Sequence, residues 1–391
     1  MDTVVFKDIK TPSYVIDENK LIHNLKILNG VEKETGCHIL LAQKAFSAYA
    51  MYPLIGQYIS GTTASGLYEA RLGKEEMNKE NHVFAPAYKT EDMKELVTIC
   101  DHIIFNSFAQ FEKHKEIISE YNNSQRENGN RVSIGMRVNP EFSTQEGHAI
   151  YDPCAPGSRL GVVRAKFPET LPEEIEGLHV HTLCEQDSDD LEATFNAFEK
   201  SFEPYLKKIK WLNLGGGHHI TRPGYDIARL EKCIRAAKEE WKVDVYLEPG
   251  EAWALNAGFF LTTVLDVLQN GDTRLAILDG SAACHMPDVL EMPYRPPLLG
   301  ADEPGENAVT IRLGGPTCLS GDIIGDYSFS EPLKYGDILM FGDMAIYTTC
   351  KNNTFNGMPL PDIWLRHGDK TMERLTDFGY EDFKGRLGHR R

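Results

Sequence analysis

Trp211-Leu-Asn-Leu-Gly-Gly-Gly217 is a short apolar run that stops on three glycines, and Asp244-Val-Tyr-Leu-Glu-Pro-Gly250 repeats the pattern one unit later. A run of this kind, bounded by turn residues, reads as a buried strand feeding a loop. Working back toward the N-terminus, the pattern recurs at Gly177–Leu183, Val132–Pro140, His102–Ser107, His82–Ala87, Gly61–Gly66 and His38–Ala45. Gly61–Gly66 is weak alone and is counted for its position. Helical patterns separate the runs. In 187–209, Leu191, Phe195, Phe198, Phe202 and Tyr205 recur at spacings of three and four, behind Asp187 or Ser188 as the cap. That stripe is read as packing against the strands. Eight strands alternating with helices predict an α/β fold, a parallel (β/α)8 barrel.

Beyond about residue 256 the helical periodicity fades. Leu275–Asp279, Ala308–Leu313 and Asp337–Tyr347 are short runs bounded by Gly, Pro, Asn and Asp, which predicts a second, mostly β domain. The expected division is a barrel over 21–255 and a β domain over 256–391, completed by an N-terminal strand within 1–20. A length of 391 residues suits two cores. The net charge of −17 argues against nucleic acid, whose phosphates call for clustered Lys and Arg. It suits a cationic substrate, and equally plain solubility. The opening Met1-Asp-Thr-Val-Val-Phe-Lys-Asp lacks the basic-then-apolar pattern of a secretion signal, and no long apolar run predicts a membrane span. Eight scattered cysteines with no C-x-x-C pair fit reduced thiols in a cytoplasmic protein, with no metal site expected.

Active sites of (β/α)8 barrels lie at the C-terminal ends of the strands. There the sequence places Lys44, Ser65, Arg137, His181, Gly215, Gly216, Gly217 and Glu248, with Gly250 just beyond. A lysine buried on a strand is costly unless it is paired or reacts, and condensing with an aldehyde cofactor is one such use. Three glycines after a strand let backbone N–H groups approach a phosphate. Each residue also has an ordinary reading: Lys44 reaching to solvent, the glycines as a tight turn, Glu248 as a solvated strand-end acid. The case rests on their convergence on one barrel mouth.

The motifs around these residues are Leu41-Ala-Gln-Lys44-Ala, Thr62-Thr-Ala-Ser65-Gly66, Met136-Arg-Val-Asn-Pro140, Gly177-Leu-His-Val-His181, Leu214-Gly-Gly-Gly217 and Glu248-Pro-Gly250. The second domain adds Gly315-Pro-Thr-Cys318, Asp343-Met-Ala-Ile-Tyr347 and Thr354-Phe-Asn-Gly357. Together they resemble the fold-type III pyridoxal-phosphate decarboxylases, the alanine racemase-like family of ornithine and diaminopimelate decarboxylases, over nearly the whole chain. The resemblance implies pyridoxal 5′-phosphate (PLP) on Lys44, with Ser65 and Arg137 beside it and His181 stacked on its ring. It puts Gly215, Gly216, Gly217 and Tyr347 at the phosphate, and Glu248 of the Glu248–Gly250 motif at the pyridine nitrogen. It implies catalysis by Lys44, His181 and Cys318, the cysteine acting at a neighbouring subunit's cofactor, and hence a homodimer with shared active sites. Taken alone, Cys318 also reads as a buried thiol and Tyr347 as a core aromatic.

Departures from the family pattern narrow the substrate. Glu251 stands where Arg usually follows E-P-G, and Leu319 where an acid usually follows the cysteine. His181-Thr-Leu-Cys184-Glu185 replaces H-x-G-S, and His218-His219 replace Phe-Gly. Neighbouring side chains point apart, so these two histidines do not read as a metal pair. With His285-Met-Pro-Asp-Val-Leu-Glu291, the departures are similar to the carboxynorspermidine/carboxyspermidine decarboxylase branch. That resemblance implies decarboxylation of a carboxylated triamine, whose ammonium groups call for spaced carboxylates. Glu251, Asp288 and Asp322 are the candidates, with Glu185; each also reads as an ordinary surface acid. The competing readings are a decarboxylase of diaminopimelate, ornithine or arginine, and an inactive regulatory homologue.

Overall fold

The computed structural model describes residues 6, 8–125, 129, 131–146 and 149–388. Residues 1–5 and 7 of the expected N-terminal segment lie outside them. The strands are, in chain order, β1 (Ser13–Asp17), β2 (His38–Ala42), β3 (Gly61–Ala64), β4 (Glu80–Phe84), β5 (His102–Phe105), β6 (Ser133–Asn139), β7 (Val162–Val163), β8 (Ile175–Val180), β9 (Trp211–Asn213), β10 (Asp244–Leu247), β11 (Gly258–Asn270), β12 (Thr273–Leu278), β13 (Val309–Gly314), β14 (Ile323–Phe329), β15 (Ile338–Gly342), β16 (Asp362–Arg366) and β17 (Met372–Thr376). The chain divides into two units, Asn24–Trp253 and Met1–His23 with Ala254–Arg391.

In the first unit β2, β3, β4, β5, β6, β8, β9 and β10 run parallel. β10 pairs with β2 and β5 with β6, so the ring closes as an eight-stranded barrel. β7 is a two-residue addition beside β6. All eight runs expected from the sequence are strands, the weak Gly61–Ala64 included. The barrel interior is packed, not hollow. The Trp211 ring stacks on His102 at 4.6 Å and meets Tyr246 edge-on at 6.1 Å, while its indole N–H donates to Ser133 Oγ at 2.8 Å. A Cβ on Gly177 would lie 2.0 Å from that ring, and one on Gly135 2.3 Å from it. Those strand positions therefore require the missing side chain. The helix Ser188–Leu206 buries Leu191, Phe195, Phe198, Phe202 and Tyr205, so the stripe is packing, as its spacing predicts.

The second unit is mostly β. Its eight strands follow the order β14-β13-β12-β11-β1-β16-β17, with β15 paired to β11. β1 lies between β11, antiparallel, and β16, parallel. Tyr14, Phe260, Ile311, Tyr327 and Phe341 lead its apolar core, each side chain of this kind contributing roughly 1.5–3 kcal/mol on burial. Among the described residues no helix is long and apolar enough to cross a membrane.

Candidate active site

Because the barrel strands are parallel, their C-terminal ends share one mouth. Lys44 follows β2, Ser65 follows β3, Arg137 lies on β6, His181 follows β8, Gly215–Gly217 follow β9 and Glu248 follows β10. Lys44 is not on a buried strand position as expected. It stands in the turn beyond β2 and is exposed. Its pKa still falls below the ordinary lysine value, first by desolvation and then by the Arg137 cation, with Glu248 pulling the other way. The ammonium thus reaches solvent within a mouth walled by protein.

Arg137 is buried. It donates to the His181 carbonyl at 3.3 Å and its guanidinium lies 4.6 Å from the centre of the Phe84 ring. Neither partner is an anion, and burial pushes the guanidinium down to about 10, so it remains a cation at neutral pH. His181 is held well below the usual imidazole value by burial, then by Lys44 and Arg137, and is therefore neutral. Glu248 is buried, accepts from Asn213 Nδ2 at 2.8 Å and lies 3.2 Å from His179 Nε2. Burial pulls this carboxyl up, but the contacts with His179 and Asn213 outweigh it and keep Glu248 below the ordinary carboxylate range. Burial disfavours a charged His179, so the negative charge of the pair stays on Glu248.

The glycine turn is built for close approach. Gly215 and Gly217 take φ of +69° and +82°. A Cβ on Gly216 would lie 2.5 Å from the Glu248 carbonyl oxygen, and one on Gly217 2.1 Å from that of Leu183. Side chains are excluded there, which leaves backbone facing the mouth. These residues fit PLP. A lysine of lowered pKa stands ready to attach an aldehyde, an anionic carboxylate matches a protonated ring nitrogen, and a buried arginine with no anionic partner among the described residues matches a negatively charged ligand.

The remaining candidates divide. Ser65 is exposed, and its N–H donates to Glu69 Oε2 at 2.6 Å. Gly250 and Glu251 lead into the one-turn helix Glu251–Trp253, and Glu185 is exposed at φ +53°. In the β unit Cys318 is an exposed free thiol, so its reading as a buried one fails. Its N–H donates to Asn356 Oδ1 at 3.2 Å, which ties the Gly315–Cys318 loop to the Thr354–Gly357 turn. Tyr347 sits at φ +55° and ψ −43°, a backbone conformation costly for a residue with a side chain. Asp288 pairs with Lys351, which also donates to Glu291 Oε2 at 2.6 Å.

Asp322 requires a correction. It is buried, and its carboxylate accepts from Ser281 Oγ at 2.9 Å, Ala283 N at 3.1 Å and Thr317 Oγ1 at 2.7 Å. These three donors come from the chain itself, so the carboxylate holds the Gly315–Cys318 loop and is not the ordinary surface acid of its plain reading. His218 and His219 are buried, and burial pushes both down to about 4; they are neutral packing groups. Sequence reasoning missed His179 and Asn213, which together support Glu248. The signal was present: His179 lies on β8 two residues before His181, at the strand's C-terminal end.

A closed (β/α)8 barrel with this mouth, together with a mostly β unit, defines a PLP-dependent enzyme of the alanine racemase-like fold. Comparison with known proteins agrees. The family described as pyridoxal-dependent decarboxylase, C-terminal sheet domain, matches residues 13–345. A carboxynorspermidine/carboxyspermidine decarboxylase of Campylobacter jejuni is 38% identical over 97% of this chain and 98% of its own. A carboxyaminopropylagmatine decarboxylase of Synechocystis is 40% identical over 97% of this chain and 96% of its own. The crystal structure of carboxynorspermidine decarboxylase from Campylobacter jejuni, complexed with norspermidine, superposes with a TM-score of 0.88 at 38% identity, covering 97% of this chain and all of that one. The chain belongs to the pyridoxal-dependent decarboxylases.

Proposed function

We propose that the protein decarboxylates a carboxylated triamine, carboxyspermidine or carboxynorspermidine, giving CO2 and spermidine or norspermidine. The observation that carries this reading is near full-length similarity to decarboxylases of that named activity, on a chain whose barrel mouth gathers Lys44, Arg137, His181, Glu248 and the glycine turn. Bound PLP supplies an electron sink for the bonding pair that departing CO2 leaves behind. Lys44 would hold the cofactor through Nζ at the barrel mouth. Glu248 keeps a proton on the ring nitrogen, with Asn213 and His179 holding its carboxylate in place. Neutral His181 supports the ring face. Arg137, Ser65, Gly215, Gly216, Gly217, Gly250 and Tyr347 complete the cofactor's surroundings. Cys318 delivers a proton to the carbon that has lost CO2, so one proton replaces one carboxylate.

Glu251, Asp288 and Glu185 supply the negative charge for the substrate's ammonium groups. We also propose a homodimer in which Cys318 of one subunit serves the other's cofactor, and a cytoplasmic location, which suits eight free cysteines. The second reading is carboxyaminopropylagmatine, favoured by the 40% identical relative; its guanidinium end takes the place of an ammonium. The test is CO2 release from these three substrates, diaminopimelate, ornithine and arginine, each at equal concentration. A carboxypolyamine is expected to react best. Preference for diaminopimelate, ornithine or arginine overturns the substrate reading, and no turnover of any of them overturns the enzymatic one.

A further inference from the structure

The N-terminal end of the barrel carries a second constellation, which the decarboxylation does not use. His38 opens β2, Glu80 opens β4 with His82 two residues on, and His102 opens β5. β4 and β5 pair with His82 opposite His102, so the two imidazoles stack at 4.0 Å with 24° between their planes. Both present Nε2 to one carboxylate. Glu80 Oε1 lies 2.9 Å from His82 Nε2 and 3.9 Å from His102 Nε2, while Oε2 lies 3.6 Å from His38 Nδ1. Glu80, His82 and His102 thus bring their ligand atoms together, and His38 Nδ1 approaches the second oxygen of Glu80.

The walls of this site are rigid and the way in is open. Trp211 stacks on His102, and Tyr246 stacks on His38 and meets both His82 and His102. His82 is fully buried, whereas the side chains of His38 and Glu80 keep 37% and 23% of their exposure, so the cluster communicates with solvent at the bottom of the barrel.

One ligand atom each from Glu80, His82 and His102 lies within 4.8 Å of the others. Ligation would bring these atoms to about 2.0–2.2 Å from the ion, with His38 as the fourth ligand.

We propose that His38, Glu80, His82 and His102 form a binding site for a divalent transition-metal ion at the N-terminal end of the barrel. Three imidazoles and one carboxylate are a borderline-soft set, suited to zinc, cobalt or nickel and unsuited to magnesium or calcium. All four ligands come from the protein, so the ion braces the strand ends and takes no part in decarboxylation.

The experiment uses the PLP-loaded full chain. Cobalt(II) serves as the spectroscopic probe, and zinc(II) is titrated by calorimetry. The expected result is one ion per chain and visible cobalt absorption of tetrahedral type. Zinc should raise the unfolding temperature of the wild-type protein. Glu80→Gln and His102→Gln should each weaken zinc binding by at least about tenfold, the lower end for losing even a supporting contact. His38→Gln, at the exposed rim, does the same without disturbing the packed interior. The barrel mouth offers a rival donor group in His179, His181 and Glu248, and Cys318 is an exposed thiol. Glu248→Gln and Cys318→Ala should therefore keep the ion. The proposal is overturned if the wild-type chain binds no ion. It is also overturned if Glu80→Gln, His102→Gln and His38→Gln all bind normally, or if Glu248→Gln or Cys318→Ala abolishes binding.

Discussion

Replacing Asp288 with Asn tests the substrate reading at a point where the structure supplies the arithmetic. Lys351 sits against Asp288 and 2.6 Å from Glu291 Oε2. Two carboxylates and one ammonium leave a single unbalanced negative charge, enough for one ammonium of the substrate. Asp288→Asn cancels that charge. A charge-assisted contact is worth roughly 1.5–3 kcal/mol, so kcat/KM should fall roughly tenfold to a hundredfold, chiefly through KM. Folding should hardly change, because Lys351 keeps Glu291 as a partner and half-exposed pairs contribute only about 0–1 kcal/mol. The assay is CO2 release across substrate concentration, with PLP absorbance and thermal unfolding measured on the same preparations. Lys351→Met is the companion variant: it removes the competing cation, and KM should fall. If Asp288→Asn loses PLP, or leaves kcat/KM as it was, Asp288 does not hold the substrate.

Three further predictions concern cofactor, assembly and pH. Borohydride treatment of the holoprotein should fix PLP on Lys44; peptide mapping that places it on another lysine, or finds no adduct, refutes the assignment. Mixed dimers of Lys44→Ala and Cys318→Ala chains should regain part of the activity, since one of their two sites holds both residues; proven hybrids with no recovery exclude shared sites. His285 takes the Ser281 N–H on Nδ1 at 3.2 Å and has Nε2 3.0 Å from the Pro359 carbonyl, which fixes a neutral ring, and burial pushes its pKa from 6.5 to about 4. Between these values the unfolded chain takes a proton that the fold refuses. Stability should therefore be unaffected by this group above about pH 6.5 and fall by up to roughly 3 kcal/mol on acidification to about pH 4. His285→Gln should flatten that slope in urea titrations; an unchanged slope removes His285 as its cause.

The barrel was legible because each strand is short, apolar and closed by a turn residue. Even the poor run at Gly61 could be placed by counting. The mouth was legible for the same reason: once strands are parallel, the residue after each strand has a known address. Asp322 was misread because sequence shows a carboxylate but not its donors, and Ser281, Ala283 and Thr317 come from two separate stretches. Lys351 and Asp288 are far apart in sequence, so nothing local announces their pairing. His38, Glu80, His82 and His102 share no spacing motif. They meet because they lie toward the beginnings of β2, β4 and β5, strands of one contiguous arc of the barrel that the chain order alone does not announce.

The Trp211 indole occupies space that Gly135 and Gly177 surrender to it. That arrangement constrains how the lineage can change. A methyl group added to either glycine first meets the indole, while shrinking Trp211 first opens a cavity that costs about 3–5 kcal/mol. Each single step lowers stability, and only a joint exchange restores a filled interior. The three positions are therefore energetically coupled, and a redesign library that varies them separately will recover mostly the parental triplet.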